Sequence, residues 1–293
     1  MNQPSGTKLP FIWHHLAAVT GLGVFTLFLF WNILIEGHLL WGSDFIYAYL
    51  PYKQFLFNEI QQFGSIPLWN PYLFGGIPFW GFFESTIFYP FDIFFWFLPP
   101  ERAYGYTMAV HAFMGGVFMY ILCQTLRFSI WSSLLAALLF SCNGFFMPVL
   151  FLGRMVHAQS YVWTPLVLCL FVRALHAKRP FTAVIWAGIS WGMQILAADP
   201  QTAFYTYLAL LLFALVNDRT LWSLKGCLHT IKILVILFFV GIGLSAIQLV
   251  PSLELVSHAT RGTLKSFDMV TLYSFPPRRD HHYSSAPFFW KPL

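Results

Sequence analysis

Apolar residues in this chain gather in long runs separated by short polar clusters, rather than alternating with polar ones. Seven runs stand out, at residues 11–35, 103–125, 130–151, 157–175, 181–197, 201–216 and 230–250. Each comes near the length of about 20 apolar residues that a helix needs to cross a bilayer. Between the first two lies a different stretch, 36–102, rich in aromatic, polar and proline residues. Within it Phe45, Tyr49, Tyr52, Leu56, Ile60 and Phe63 recur at spacings of three and four, after Asp44 and before Gly64. That is one apolar stripe on a helix that Asp44 can cap and Gly64 can stop, bent near Pro51, with Lys53, Gln54 and Glu59 off the stripe. Such a helix is expected to lie in the membrane interface. The piece 85–98 is apolar but short and carries Asp92, which predicts a re-entrant or interfacial segment.

The stretch Pro67–Phe79, "PLWNPYLFGGIPF", holds three prolines and two adjacent glycines, which exclude a continuous helix. It is too apolar for a solvated linker. A proline-fixed loop in the headgroup zone is expected, with Trp69, Tyr72 and Trp80 as interfacial anchors and Gly75 and Gly76 opening backbone conformations closed to other residues.

Composition agrees with the runs: 58% of residues are hydrophobic and 9% charged, against roughly 25% charged in soluble domains. The chain is read as an all-α polytopic membrane protein with about seven transmembrane helices and a long outer first loop containing interfacial helices. The formal charge of +5 is scattered and forms no basic stripe, so no nucleic-acid partner is expected. Cys123, Cys142, Cys169 and Cys227 sit within or beside apolar runs and read as small core residues. No small-residue cleavage site follows the first run, which predicts an uncleaved first span.

With the N-terminus inside, Lys8, Arg127, Arg173, Lys178, Arg179, Arg219, Lys225 and Lys232 fall on the inner side. Lys53, Arg102, Arg154, Arg261 and Lys265 fall outside, and the balance favours this orientation. Nearly every acid then lies outside, Asp44, Glu84, Asp92 and Asp199 among them, with Asp218 the exception. Acids do not enter the orientation rule, so their clustering on one face needs its own explanation.

Several pieces of the chain resemble one family. They are "GSDFIYAYLPYKQFLFNEI" (42–60), "GSIPLWNPYLFGGIPF" (64–79), "STIFYPFDIFF" (85–95), "DPQTAFYTYLALLLFAL" (199–215) and "AIQLVPSLELVSHATR" (246–261). Together they are similar to the bacterial YfhO-type membrane proteins, over nearly the whole of 1–277. Members of that family are similar to the GT-C class of polytopic glycosyltransferases, and are usually longer, so this chain looks like an N-terminal portion. The resemblance implies a multi-pass protein of the bacterial cell membrane. It would transfer a sugar from a polyprenyl-phosphate donor, at the outer face, to a cell-envelope glycan or lipid, with membrane lipid as a further partner. No cofactor or metal is expected.

The resemblance also marks Asp44, which lies just beyond the first span, where GT-C enzymes place a catalytic acid. A lipid-linked phosphate is already a competent leaving group, so one carboxylate accepting the proton of the acceptor hydroxyl suffices for inverting transfer. Two closely spaced carboxylates serve retaining glycosidases instead. The residues alone leave Asp44 open as base or helix cap. Arg154 and His157, in "GRMVHAQ", stand on the outer side, where a carrier phosphate or lipid headgroups would meet them. Lys53, Trp69, Asn70, Tyr72 and Glu84 complete the expected substrate-binding set, the aromatic loop shaping the groove. Glu84 and Asp92 are open as a second acid, a metal ligand or solvated loop charges, whereas Asp199 before Pro200 reads as a helix cap. His14 and His15 mark the inner interface. A transporter or flippase of lipid-linked substrates, or an inactive fragment, are the alternatives. Transporters place ionisable residues at mid-bilayer, whereas here they lie in loops and at span ends.

The tail 278–293, "RRDHHYSSAPFFWKPL", departs from the family pattern. Asp280, His281 and His282 invite a metal-site reading, but the tail is expected to be out of its ancestral reading frame. One nucleotide later, the codons of Asp-His-His-Tyr-Ser spell only Ile or Thr at four successive positions. The codon of Trp290 followed by Lys spells Gly.

Overall fold

The computed structural model describes residues 9–217 and 223–258. Lys8, Asp218, Arg219, Arg261, Lys265 and the tail with Asp280, His281 and His282 lie outside the described residues. The chain is a helical bundle: α1 (Leu9–Leu29), α2 (Trp31–Leu34), α3 (Leu50–Phe63), α4 (Phe94–Phe97), α5 (Pro100–Thr125), α6 (Ile130–Ser141), α7 (Phe146–Leu152), α8 (Met155–Tyr161), α9 (Thr164–His176), α10 (Phe181–Leu196), α11 (Pro200–Asn217) and α12 (Leu224–Ser257). Every expected span overlaps one or more helices. Among the described residues, four stretches are long and apolar enough to cross a membrane: Pro100–Thr125, Ile130–Leu152, Met155–His176 and Leu224–Ser257. Three further apolar helices, Trp13–Leu29, Phe181–Leu196 and Pro200–Val216, are shorter.

The boundaries moved for identifiable reasons. The first span stops at Leu29 instead of residue 35, and after the single turn α2 the chain reverses at Gly37, whose φ is +75°. The run 130–151 divides because the Asn143 carboxamide accepts the N–H groups of Phe145 and Phe146, both at 2.8 Å, and so starts a new helix, α7. The run 157–175 divides at Val162–Trp163, just before Pro165 in the first turn of α9. Asp199 does cap α11, accepting the Thr202 N–H at 3.3 Å. The last helix is longer than its apolar run and carries Pro251 inside it.

The stretch 36–102 is not purely helical. Phe45–Tyr49 is a π-helical stretch leading into α3. Pro51 has no N–H to offer the carbonyl one turn back, and the wider turns lie immediately before it. Gly64, at φ +67°, closes α3 with its N–H on the Ile60 carbonyl. Of the expected stripe, Phe45, Tyr49, Tyr52 and Leu56 are buried, Ile60 is half-buried and Phe63 is exposed. Trp69–Asn70 and Ile77–Pro78 pair as a two-residue antiparallel ladder, so the proline-rich stretch is a small hairpin. The following turns reach α12, where Gln248 Nε2 donates to the Trp80 carbonyl at 2.9 Å. A Cβ on Gly81 would stand 2.9 Å from the Pro251 carbonyl oxygen.

Lys53 and Asp92 overturn two expectations at once. Lys53 is fully buried and Asp92 is 2% exposed, so neither is a solvated loop charge, and Lys53 has no surface to offer a substrate. The ammonium donates to Asp92 Oδ2 (2.6 Å), Thr86 Oγ1 (2.6 Å) and the Ser85 carbonyl (2.9 Å). It also lies 4.6 Å from the centroid of the Phe95 ring. Thr86 Oγ1 donates to Asp92 in turn, and Gln159 Nε2 of α8 donates to its other oxygen. All three ammonium protons are used, the condition under which a buried charge is tolerated. This cluster ties α3 and the turns after the hairpin to the bundle.

Candidate functional site

Two glycines bring the site together. Gly42 and Gly153 touch backbone to backbone: a Cβ on Gly42 would lie 2.3 Å from the Gly153 nitrogen. Gly153, at φ +80°, ends α7 and leaves no room for a Cβ beside the Phe45 nitrogen, 2.6 Å away. Ser43–Asp44 and Arg154 follow directly on the two glycines, so side chains 110 residues apart in sequence meet. Arg154 Nε donates to Asp44 Oδ2 at 2.9 Å, with the two side chains 50% and 41% exposed. Ser43 Oγ is within reach of Asp44 Oδ1 (3.3 Å) and the Leu152 carbonyl (3.4 Å), and its one proton serves one of them at a time. Phe45 stacks on Tyr104 at 4.0 Å between centroids, and the Tyr104 hydroxyl donates to the Leu150 carbonyl at 3.0 Å. The elbow between α7 and α8 is thereby held against the start of the π-helical stretch.

Asp44 makes no capping bond. Its backbone is already helical, at φ −67° and ψ −33°, and its carboxylate points to Arg154 instead. Behind the pair sits Tyr49, 5% exposed. Burial pushes its phenol well above the ordinary value; the carboxylates of Glu84, Asp44 and Asp199 push the same way, and Arg154 opposes them. Tyr52, edge-on to Tyr49 at 5.8 Å, is likewise pushed up, by burial first and then by Glu84. Two phenols are thus held neutral, Tyr49 under the influence of Asp44, Glu84, Asp199 and Arg154, and Tyr52 under that of Glu84 and Asp92. Burial also pulls the Lys53 ammonium below its usual value, against the opposing pull of Asp92.

The other expected residues fall in different places. His157 is half-buried on α8, and its Nδ1 is enclosed without a hydrogen-bond partner. Trp69 and Tyr72 are exposed on the hairpin, at 55% and 82%, and Asn70 is buried at the ladder with its carboxamide oxygen accepting the Tyr72 N–H at 2.9 Å. Asn70 and Tyr72 line a cleft of about 340 Å³ against Gln54, Phe55, Asn58 and Glu59 of α3. Neither Asp44 nor Arg154 lines that cleft. Among the described residues no group of three His, Cys, Asp or Glu side chains is placed to hold a metal ion.

Tyr49, Gly42, Gly153 and Gln159 were not named from sequence as site residues. The available signal was small: each glycine stands one or two positions before a candidate charge, "GSD" and "GR".

No family model matches the chain. No curated protein matches it either. Among solved structures, it is similar to the archaeal oligosaccharyltransferase AglB from Archaeoglobus fulgidus in complex with an inhibitory peptide and a dolichol-phosphate. That likeness has 17% identity and a TM-score of 0.53, over 91% of this chain and 36% of that one. The apo form of the Archaeoglobus fulgidus oligosaccharyltransferase matches at 16% identity and a TM-score of 0.48, over 94% of this chain and 38% of that one. The chain therefore spans little more than a third of the length of these structures, and what the first comparison shows is a shared fold.

Proposed function

We propose that this chain is the N-terminal, donor-side part of a GT-C-like membrane glycosyltransferase of YfhO type. It would move a sugar from a polyprenyl-phosphate donor to a cell-envelope glycan or lipid. The observation that carries this reading is the meeting of Asp44 and Arg154, named separately from sequence, at 2.9 Å on a half-exposed surface. A carboxylate and a guanidinium side by side supply the two functions that direct transfer asks of the protein. One takes the proton of the attacking hydroxyl, and the other neutralises the departing phosphate. The fold shared with an oligosaccharyltransferase captured with dolichol-phosphate supports a lipid-linked donor. Glu84, whose charge acts on Tyr49 and Tyr52, would hydrogen-bond the polyhydroxylated sugar, whereas Asp199 is buried and spent on its helix. The hairpin cleft with Asn70 and Tyr72 would take a more distant part of donor or acceptor.

The test uses the full chain in lipid nanodiscs with a polyprenyl phosphate bearing a photoreactive group. Crosslinks are expected within the segments 42–49 and 152–158, and they should fall on Arg154→Ala. Crosslinks confined to other helices and unaffected by Arg154→Ala would overturn the assignment.

A further inference from the structure

Both oxygens of Asp44 have a donor close by. Oδ2 accepts from Arg154 Nε, and Oδ1 lies within reach of the Ser43 hydroxyl. An acceptor hydroxyl approaching Asp44 must therefore compete with a guanidinium. Arg154 uses Nε alone in this pair, which leaves the two-nitrogen edge of the guanidinium out of it. That edge is the one shaped for bidentate phosphate recognition. Both side chains are half exposed, and ion pairs of that kind are weak enough to exchange partners. Arg154 is fixed at its backbone by Gly153 against Gly42 and Phe45, so its head group can swing while its Cα stays beside Asp44.

We infer that Arg154 is shared in time: it holds Asp44 when the site is empty and passes to a lipid-linked phosphate on binding, releasing Asp44 for the acceptor hydroxyl. The consequence is an ordered site, donor before acceptor, in which the base is withheld until the leaving group is seated. Unproductive proton traffic without donor is thereby suppressed. The inference rests on the proposed roles of Asp44 and Arg154, and the experiment separates its failure from theirs.

The full chain in nanodiscs is treated with a water-soluble carbodiimide and an amine, which couples accessible carboxylates. A parallel sample is treated with phenylglyoxal, which modifies arginine. Site occupancy at Asp44 and Arg154 is read by mass spectrometry with and without decaprenyl phosphate. Decaprenyl phosphate should protect Arg154 and raise coupling at Asp44 about two- to fivefold, the factor by which an ordinary exposed ion pair biases an equilibrium. Arg154→Gln should show the raised Asp44 coupling without lipid. Protection of Arg154 with Asp44 coupling unchanged or reduced would overturn the exchange while leaving phosphate binding intact. No protection of Arg154 would overturn both. Inorganic phosphate at the same concentration serves as the second arm. If it gives the same two changes, the exchange holds and the phosphate group alone drives it; if only the lipid works, the acyl chain is part of the signal.

Discussion

Lys53 and Asp44 are both charged residues of the outer loop, and their surroundings assign them opposite work. Lys53 is sealed with Asp92, Thr86 and the Ser85 carbonyl, so removing one partner strands a buried charge. Lys53→Met should destabilise the protein by about 3–5 kcal/mol, whereas the double change Lys53→Met with Asp92→Leu should recover much of that loss. Thermal unfolding in detergent reads both together with Asp92→Leu alone, and a double variant destabilised by the sum of the two single changes would show the pair to be uncoupled. Asp44 sits half exposed beside Arg154 and caps nothing. In a complete enzyme, Asp44→Asn should lower transfer by about 10²–10⁴, the usual worth of a general base. Its melting temperature should hardly move, because an exposed ion pair contributes about 0–1 kcal/mol. Near-normal transfer by that variant would make Asp44 structural.

At the scale of elements, the elbow between α7 and α8 sets the site. Gly153 combines a left-handed backbone with backbone contacts on Gly42 and Phe45, so Gly153→Ala adds strain and a clash together. A cost of about 1–3 kcal/mol is expected from the strained conformation alone. The crosslink between polyprenyl phosphate and 152–158 should drop even though Arg154 itself is unchanged. The hairpin is held from the other side, by Gln248 on the Trp80 carbonyl. Gln248→Leu leaves that carbonyl unpaired at a cost of about 1–3 kcal/mol. Amide exchange over 79–86 should speed up in that variant while exchange in α5 stays as it was. If exchange rose uniformly, the contact would be part of the global core and not a local clamp.

For the whole molecule the open question is which face the acids occupy. Among the described residues, four helices are long and apolar enough to cross, and the shorter apolar helices α10 and α11 flank the turn that carries Asp199. Reporter fusions after Lys178 and after Lys225 should read cytoplasmic, and a fusion after Gly64 should read external. A cytoplasmic signal at Gly64 would put Asp44 and Arg154 on the face away from the expected donor, and the proposed transfer would fall with it.

The sequence by itself determined the helical class, the place of the long helices and the break from helix in the proline-rich stretch. Those follow from one-dimensional quantities: run length against bilayer thickness, apolar spacing, and the backbone limits of proline and glycine. Asp44, marked by the family resemblance, and Arg154, a cation near the end of an apolar run, were both candidates from the sequence. Tertiary structure alone decided how those charges were used. Lys53 and Arg154 look alike in a list of outer cations, yet one is closed inside a satisfied cluster and the other stands half in the open. Asp44 and Asp199 both stand where a helix begins, yet only Asp199 turns its oxygens to the helix. The physical reason is that burial and pairing depend on what another part of the chain brings, here Gly153 and Gln159 from more than sixty residues away, and periodicity within a segment carries no record of that.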